Sequence, residues 1–147
     1  MTDNINAADK LNITETAEAE KAKAEAEKAK KKEELEALHK RITSGVMKLR
    51  TPIRAESKDV TELRYDFSKV TGWEYVEAMD ADRTADNILR ISSKQALCLF
   101  AVACAHEHTH LDARDIRERI SAMDAMQATQ IATLFTVTSA QVASINT

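Results

Sequence analysis

The chain has 147 residues, a length that suits one compact domain with an appendage. Its 21 basic and 24 acidic residues give a formal net charge of −3, which predicts no overall attraction to nucleic acid or to an anionic membrane. Only two glycines and one proline are present, so the composition disfavours all-β and loop-rich folds.

The sequence carries no targeting signal that we recognise. Its first ten residues, MTDNINAADK, are polar and lack the apolar core of a signal peptide. The longest apolar run, residues 96–105, is about half of what spans a bilayer. Both cysteines, Cys98 and Cys104, lie in this run without a disulfide-framework pattern, which is typical of a reducing cytoplasm. We therefore expect an intracellular protein with no membrane partner.

The N-terminal third differs in composition from the rest. Residues 1–14 are polar and mixed, and we expect a flexible tail there. Residues 15–44 consist mainly of alanine, glutamate and lysine, which are strong helix formers. This pattern predicts a charged spacer, either a solvated single helix or a weak coiled coil. The side chains that could contact a partner lie at its far end: Leu35, Leu38 and Ile42.

Residues 49–73 predict a β-hairpin that leads directly into a helix. The first strand is expected to end at the only proline, Pro52. The second strand alternates Leu63, Tyr65 and Phe67 with charged residues, which is the period of a half-buried strand. Because a single hairpin is marginal in water, we expect it to dock on the helices that follow.

Two capping boxes mark the starts of helices. Thr71 with Glu74 predicts a helix over residues 72–79, followed by an irregular charged segment through residue 86. Ser92 with Gln95 opens a helix that is apolar on every side, a pattern typical of the centre of a bundle.

The C-terminal part predicts two further helices after a turn at residues 108–111. The first is expected to present one apolar face formed by Ile116, Ile120 and Met123. Either Ser121 or Asp124 is the expected cap of the last helix, and residues 142–147 give no clear signal. That last helix repeats apolar positions at i, i+3, i+4 and i+7: Ala128, Ile131, Ala132 and Phe135.

The predicted fold class is mainly α with one β-hairpin (α+β). A long charged N-terminal helix precedes a hairpin that docks on a compact bundle of about four helices. The hairpin and the bundle together form a domain at residues 45–147.

The clearest candidate for chemistry is the cluster around His106, His108 and His110. On a continuing helix His106 and His110 would share a face and could chelate a transition metal. A polar helix end is the favoured interpretation, because histidines also interact well with the C-terminal dipole. The sequence therefore assigns no metal site and no cofactor.

Enzyme activity is not expected. Cys104 and His106 lie two residues apart, so on a helix they face different directions, and Cys104 is interpreted as a buried structural cysteine. The sequence contains no glycine-rich phosphate loop, CxxC pair or serine elbow. We assign no catalytic residue.

Three groups remain as candidate partner contacts. The basic residues Lys28 and 30–32 are flanked by glutamates, which favours a solvated helix face over a nucleic-acid site. Trp73 and Tyr75 are interpreted either as a binding anchor or, in preference, as contacts that pack the hairpin on the helices. Met123 and Met126 suit an adaptable groove, although methionines at helical spacing are more often core. The sequence leaves the partner-binding surface unassigned.

An ordered series of motifs over residues 48–140 resembles the phage tail assembly chaperone family. The residues that carry the resemblance are Leu49, Pro52, Ile53, 60–63, 65–67, Thr71 and Gly72, followed by 111–116, Ser121, Asp124, Ala125, Ala132, Leu134 and Phe135. The chain departs from the family in its long N-terminal helix and at residues 134–136, where relatives often carry paired aromatics.

The resemblance implies a non-enzymatic protein made in the cytoplasm of the infected host cell. Such chaperones coat the long tape measure protein, keep it soluble and gather tail tube subunits around it. They are usually absent from the finished virion, and some families also make a frameshifted longer form. Self-association is a further possible partner interaction of this chain.

Two other hypotheses remain open at this point. One is a structural or adaptor tail protein that is retained in the virion and uses the N-terminal helix to oligomerise. The other is a metal-responsive regulator that uses the histidine cluster.

Overall fold

The structure is a computed structural model that describes the backbone at residues 2–83 and 90–146, and the side chains at residues 16–83 and 90–145. It confirms a mainly helical fold with one two-stranded antiparallel sheet. The elements in chain order are α1 (Thr2–Thr43), β1 (Ser44–Ala55), β2 (Lys58–Asp66), a 3-10 turn (Phe67–Lys69), α2 (Gly72–Asp80), α3 (Ser93–Ala105), α4 (Ala113–Arg119) and α5 (Ala122–Asn146).

The chain divides into two compact units, Met1–Glu36 and Ala37–Thr147. In the first unit the side chains at residues 16–31 are all exposed, in agreement with the expected solvated helix. Helix α1 begins at Thr2, so its backbone includes most of the predicted tail at residues 1–14. The flexibility of that tail stays a prediction. The last turns of α1, from Ala37 onward, belong to the second unit.

The first strand of the hairpin, in the second unit, begins earlier and ends later than predicted. Strand β1 starts at Ser44 and does not end at Pro52, so that prediction was wrong. The strands pair regularly up to Lys48 with Glu62, and pairing resumes at Ile53 with Val60. Pro52 lies in the irregular stretch between those pairs. There its missing N–H costs no ladder hydrogen bond.

The irregular stretch of β1 is held by one buried carboxylate on α5. Asp124 Oδ1 accepts a hydrogen bond from the Arg50 N–H at 2.9 Å, and Oδ2 accepts one from the Thr51 N–H at 3.1 Å. The Ser121 hydroxyl donates to the same Oδ2 at 2.9 Å. Asp124 is only 1% exposed, so these donors compensate for the loss of water around its charge.

These contacts also set the ionisation of Asp124. Burial by itself raises the pKa of the carboxyl. The backbone hydrogen bonds from Arg50 and Thr51, the Ser121 hydroxyl and the Arg50 charge outweigh burial and lower the pKa below its ordinary value. The folded protein therefore favours the charged form of Asp124.

The core lies between the hairpin and α3. Met47 and Leu63 are a cross-strand pair, and both are buried. Phe67 is buried as predicted, although it belongs to the 3-10 turn and not to β2. Phe100 on α3 is fully buried, with its ring centroid 5.4 Å from that of Tyr65. The apolar helix α3 therefore occupies the centre, as its all-round apolar character indicates.

Both predicted capping boxes are present. The Thr71–Glu74 box begins α2, and the Ser92–Gln95 box begins α3. The irregular charged segment predicted after α2 falls largely at residues 84–89, outside the described residues. Helices α2 to α5 form the expected set of four around the hairpin.

The boundary between the last two helices differs from the prediction. Helix α4 ends at Arg119, and Ile120 adopts extended backbone angles (φ −65°, ψ 138°) as its C-cap. Met123 therefore belongs to α5 and does not share a face with Ile116, so the predicted common face was wrong. The Ser121 hydroxyl accepts a hydrogen bond from the Asp124 N–H and thereby begins α5.

Helix α5 confirms the predicted apolar repeat. Ala128 and Ala132 are fully buried, while Ile131 and Phe135 pack against the core. The helix continues to Asn146, through most of the segment that gives no clear sequence signal.

The two glycines predict opposite effects of the same substitution. Gly45 faces Tyr65 across the hairpin, and a Cβ there would lie 2.6 Å from the Tyr65 Oη and 2.9 Å from Cζ. We expect Gly45→Ala to lower the free energy of unfolding by about 1–3 kcal/mol, because the Tyr65 ring must leave its contacts with Phe67 and Phe100. Urea unfolding followed by circular dichroism measures the change.

Gly72→Ala is the matched control. Nothing lies within 4 Å of a Cβ at Gly72, the first residue of α2. Alanine restricts the unfolded chain and favours the helix, so we expect an increase of up to about 1 kcal/mol. Equal effects of the two substitutions would contradict the close approach of Tyr65 to Gly45.

Asp124→Asn should destabilise the protein in a pH-dependent way. An amide NH₂ group cannot accept the hydrogen bond that one carboxylate oxygen accepts, so at pH 7 we expect a loss of about 1.5–3 kcal/mol. The pKa of Asp124 lies below its ordinary value of 3.8 in the folded state. Its stabilisation is therefore complete above that ordinary value and is lost as the pH falls through the lower, folded value.

Denaturant unfolding of both proteins from pH 7 to pH 2.5 measures this dependence. The difference in unfolding free energy should be constant near neutrality and should shrink at the acidic end. Asp59→Asn, at an exposed position of β2, is the control and should show little difference at any pH. A pH-independent difference for Asp124→Asn would contradict the conclusion that the ionised carboxylate of Asp124 stabilises the fold.

Candidate partner-binding surface

Most of the large apolar side chains that the second unit leaves exposed lie on two of its helices. Helix α2 presents three of them and α5 presents four, and one more lies on β1. They are Val46, Trp73, Tyr75, Val76, Met123, Met126, Leu134 and Ile145. Exposed apolar groups of this size are typical of partner contacts when they cluster.

Helix α2 turns its aromatic residues outward. Trp73 is 71% exposed, and its indole N–H donates a hydrogen bond to Glu77 Oε1, one turn later, at 2.7 Å. Tyr75 and Val76 are also exposed, whereas Ala78 is the buried residue of this helix. The preferred interpretation of Trp73, packing the hairpin on the helices, was wrong, because the capping box at Thr71 sets a helical phase that directs Ala78 inward.

Helix α5 presents an uncharged outer face. Asp124 is the only charged residue among the 25 residues of this helix, and it is buried. Met123 and Met126 are 55% and 59% exposed, so their assignment to the core was wrong. Charged residues make up 31% of the chain, yet the outer face of α5 carries none.

Two shallow depressions of about 350 and 370 Å³ follow the line between the start of α3 and α5. They share Ser93 and Thr129. Among the side chains described as lining them, Lys94 alone carries a charge. The other lining residues are Ile91, Leu97, Ala122, Ala125, Met126, Gln130, Thr133, Leu134 and Val137.

The three clustered histidines contact three different elements. Because α3 ends at Ala105, His106 and His110 do not share a helical face, and the geometric basis of the metal hypothesis was wrong. His106 Nε2 lies 2.8 Å from Glu74 on α2, and His110 Nδ1 lies 2.9 Å from Glu56 in the hairpin turn. Within the described parts of the chain, no group of three or more histidine, cysteine or acidic side chains is placed to hold a metal ion.

His108 is the acceptor for a strand N–H. Its Nε2 accepts a hydrogen bond from the Arg64 N–H at 3.0 Å and so ties the connection between α3 and α4 to β2. Burial, and secondarily the Arg64 charge, lower the pKa of His108, while Glu107 opposes them. The neutral imidazole is therefore the form that this contact requires.

The cysteines are placed as structural residues. Cys98 and Cys104 are both free and buried, as expected. Burial, and to a lesser extent the charge of Glu107, raise the pKa of the Cys104 thiol strongly. Since the thiolate is the nucleophilic form, this environment makes Cys104 unreactive.

The basic run in the first unit is surrounded by opposite charge. Lys28 and residues 30 and 31 are exposed, and Glu27 and Glu33 flank them in the sequence. This arrangement is consistent with the solvated helix face that the sequence favours.

Comparisons with known proteins leave the resemblance as a prediction. The chain matches no protein-family model, no curated protein and no solved structure at a significant level. Within the described residues, no helix combines the length and the apolar character needed to cross a membrane.

Sequence reasoning missed two features of this surface. Asp124 was identified only as a possible cap, because the strand N–H groups that it binds are more than 70 residues away. The uncharged face of α5 was visible as a long stretch with a single acidic residue. Its apolar repeat indicated one buried face, and nothing in the pattern showed which of the remaining apolar residues stay exposed.

His108→Gln should weaken the pH dependence of stability. In the wild type, the stabilisation from neutral His108 is complete above its ordinary pKa of 6.5 and is lost as the pH falls through the lower, folded value. Glutamine keeps an acceptor near the position of Nε2 without titrating in this range. We expect the unfolding free energy of the variant to decrease less between pH 7 and pH 5 than that of the wild type.

His110→Gln is the control for this measurement, because His110 is exposed and contacts only Glu56 among the described ion pairs. Chemical denaturation at half-unit pH steps compares the three proteins. An equal decrease in the wild type and in His108→Gln would show that the Arg64 contact does not require the neutral ring.

Proposed function

We propose that this protein is a non-enzymatic phage tail assembly chaperone that binds the tape measure protein and keeps it soluble. The observation that carries the proposal is the set of large apolar side chains that α2 leaves exposed: Trp73 and Val76, one turn apart, project into solvent, and Tyr75 is exposed on another side of the helix. Tryptophan and tyrosine combine a large apolar area with a polar group, and they are enriched among residues that dominate binding energy. The ordered motif series over residues 48–140 supplies the identity of the client.

The proposed mechanism is stoichiometric binding. A tape measure protein presents long apolar helical segments before the tail tube encloses it, and those segments aggregate when free. Binding to α2 lowers the concentration of the free, aggregating form by mass action. Many weak contacts along one long client strengthen each other through their high local concentration.

The two units have separate roles in this proposal. The second unit carries the apolar contacts, whereas the exposed, alternately charged helix of the first unit keeps the loaded complex soluble. Assembly takes place in the host cytoplasm, where the complex recruits tail tube subunits. No catalytic step is involved, in accordance with the unreactive environment of Cys104.

Co-expression with the tape measure protein of the same phage tests this function. We expect the wild-type chain to move most of the client into the soluble fraction and to co-elute with it in size-exclusion chromatography. Trp73→Ala should reduce the recovered complex several-fold without changing the thermal unfolding of the chaperone, since the indole contacts solvent and Glu77.

Glu77→Ala is the matched control, because it removes the partner of the indole N–H and retains the aromatic surface. It should recover as much complex as the wild type. A client that stays equally insoluble with and without the chain contradicts the proposed function.

Mass spectrometry of purified particles separates the chaperone from the structural or adaptor alternative. A chaperone that leaves during assembly should be absent or far below stoichiometric amounts in mature tails. Stoichiometric recovery from mature tails would favour a permanent tail protein.

A further inference from the structure

The outer face of α5 carries an apolar pattern that is symmetric about one residue. Counted from Gln130, Met126 and Leu134 lie four positions away on either side, and Met123 and Val137 lie seven positions away. Met123, Met126, Gln130 and Leu134 are exposed, and Val137 is half-buried. The pattern therefore reads apolar, apolar, Gln, apolar, apolar in both chain directions.

Helix geometry places these five residues in one stripe. At 3.6 residues per turn, the four apolar residues lie within about 40° of Gln130 around the helix axis, and the stripe is about 21 Å long. The core residues Ala128 and Ala132 lie about 160° away, on the opposite side. The stripe is therefore separate from the face that holds α5 on the rest of the unit.

We propose that this stripe, Met123–Met126–Gln130–Leu134–Val137, is a self-association surface that pairs antiparallel with the same stripe of a second copy. A two-fold axis passes through the point where the two Gln130 side chains meet. Met126 of each copy then contacts Leu134 of the other, and Met123 contacts Val137. The two Gln130 amides hydrogen-bond to each other at the axis, since each has both a donor and an acceptor.

Self-complementarity is what identifies a second copy as the occupant. In an isologous interface, whenever residue i contacts residue j, j also contacts i, so the surface must match its own rotated image. A symmetric apolar pattern satisfies this requirement, and every exposed residue described on α5 is uncharged. Pairing therefore brings no like charges together on these helices.

The neighbouring depressions extend this fit. They lie along the stripe, between α5 and the start of α3, and provide space beside the helix for side chains of the second copy. Their charged lining residue, Lys94, lies near Met126 and so on one side of Gln130. The two-fold axis places the second Lys94 on the opposite side, which keeps the two ammonium groups apart.

The inference concerns a different helix from the proposed client surface on α2 and does not depend on the identity of the client. Sedimentation equilibrium of the full chain over a range of concentrations tests it. The wild-type mass should rise with concentration from the chain mass of 16.4 kDa toward twice that value. A wild type that remains monomeric up to millimolar concentration overturns the proposal.

Charge substitutions at the axis test the geometry. In a dimer of Gln130→Lys, or of Gln130→Glu, the two-fold axis brings two side chains of the same charge together. Each variant alone should therefore raise the dimer dissociation constant at least about tenfold. An equimolar mixture of the two variants should restore the dimer, because the axis then brings opposite charges together. Rescue on mixing requires contact between the two copies of the same residue.

A double substitution in one chain provides a second measurement. Met126→Lys alone should weaken the dimer, and adding Leu134→Glu to the same chain should restore it, since the antiparallel arrangement pairs these two positions. Ala143→Lys is the matched control: it introduces the same charge at an exposed position of α5 that lies about 140° around the helix axis from Gln130, and it should leave the dissociation constant unchanged.

Each variant is first checked for an unchanged helical circular dichroism spectrum and melting temperature. A dimer that is insensitive to Gln130→Lys, or one that is not restored in the mixture, overturns the proposed axis. Such a result would place self-association elsewhere, for example on the N-terminal helix.

Discussion

The buried carboxylate of Asp124 is the constraint on which the arrangement of the second unit depends. A two-stranded hairpin is marginal by itself, and β1 is interrupted where Pro52 and its neighbours leave the ladder. The freed N–H groups of Arg50 and Thr51 require other acceptors. Asp124 supplies two oxygens for them, and because it lies in the first turn of α5, it fixes the hairpin and that helix to each other.

This use of Asp124 shapes the surface as well as the core. The one charged residue of α5, Asp124, is buried on the inner face of the helix, and Ala128 and Ala132 are buried after it. The outer face is left without charge, which is unusual for a helix in contact with water. Both proposed interactions have the same origin: the fully enclosed apolar residues of α2 and α5 are small, Ala78, Ala128 and Ala132, and several larger apolar side chains of the two helices are exposed.

The three histidines between α3 and α4 are close in sequence but do not form a common site in the structure. Three closely spaced imidazoles invite a chemical interpretation, yet each one reaches a different element, because the chain has left the helix before they occur. His108 satisfies a strand N–H, while His106 and His110 meet glutamates on α2 and in the hairpin turn. Their combined effect is to connect the end of α3 to its surroundings. The two proposed interactions rest instead on the exposed apolar side chains of α2 and α5.

The sequence by itself determined the local elements. The capping boxes at Thr71 and Ser92 act over three residues, and the alternation through Leu63 or the repeat through Ala128 acts within one strand or helix. These signals are readable without the fold, because both partners of each contact lie close together in the chain. Only the tertiary structure decided that β1 continues past Pro52, since the acceptor for its neighbours comes from α5. It also decided that Trp73 and Met126 face solvent, because helical spacing is the same for a buried apolar residue and an exposed one.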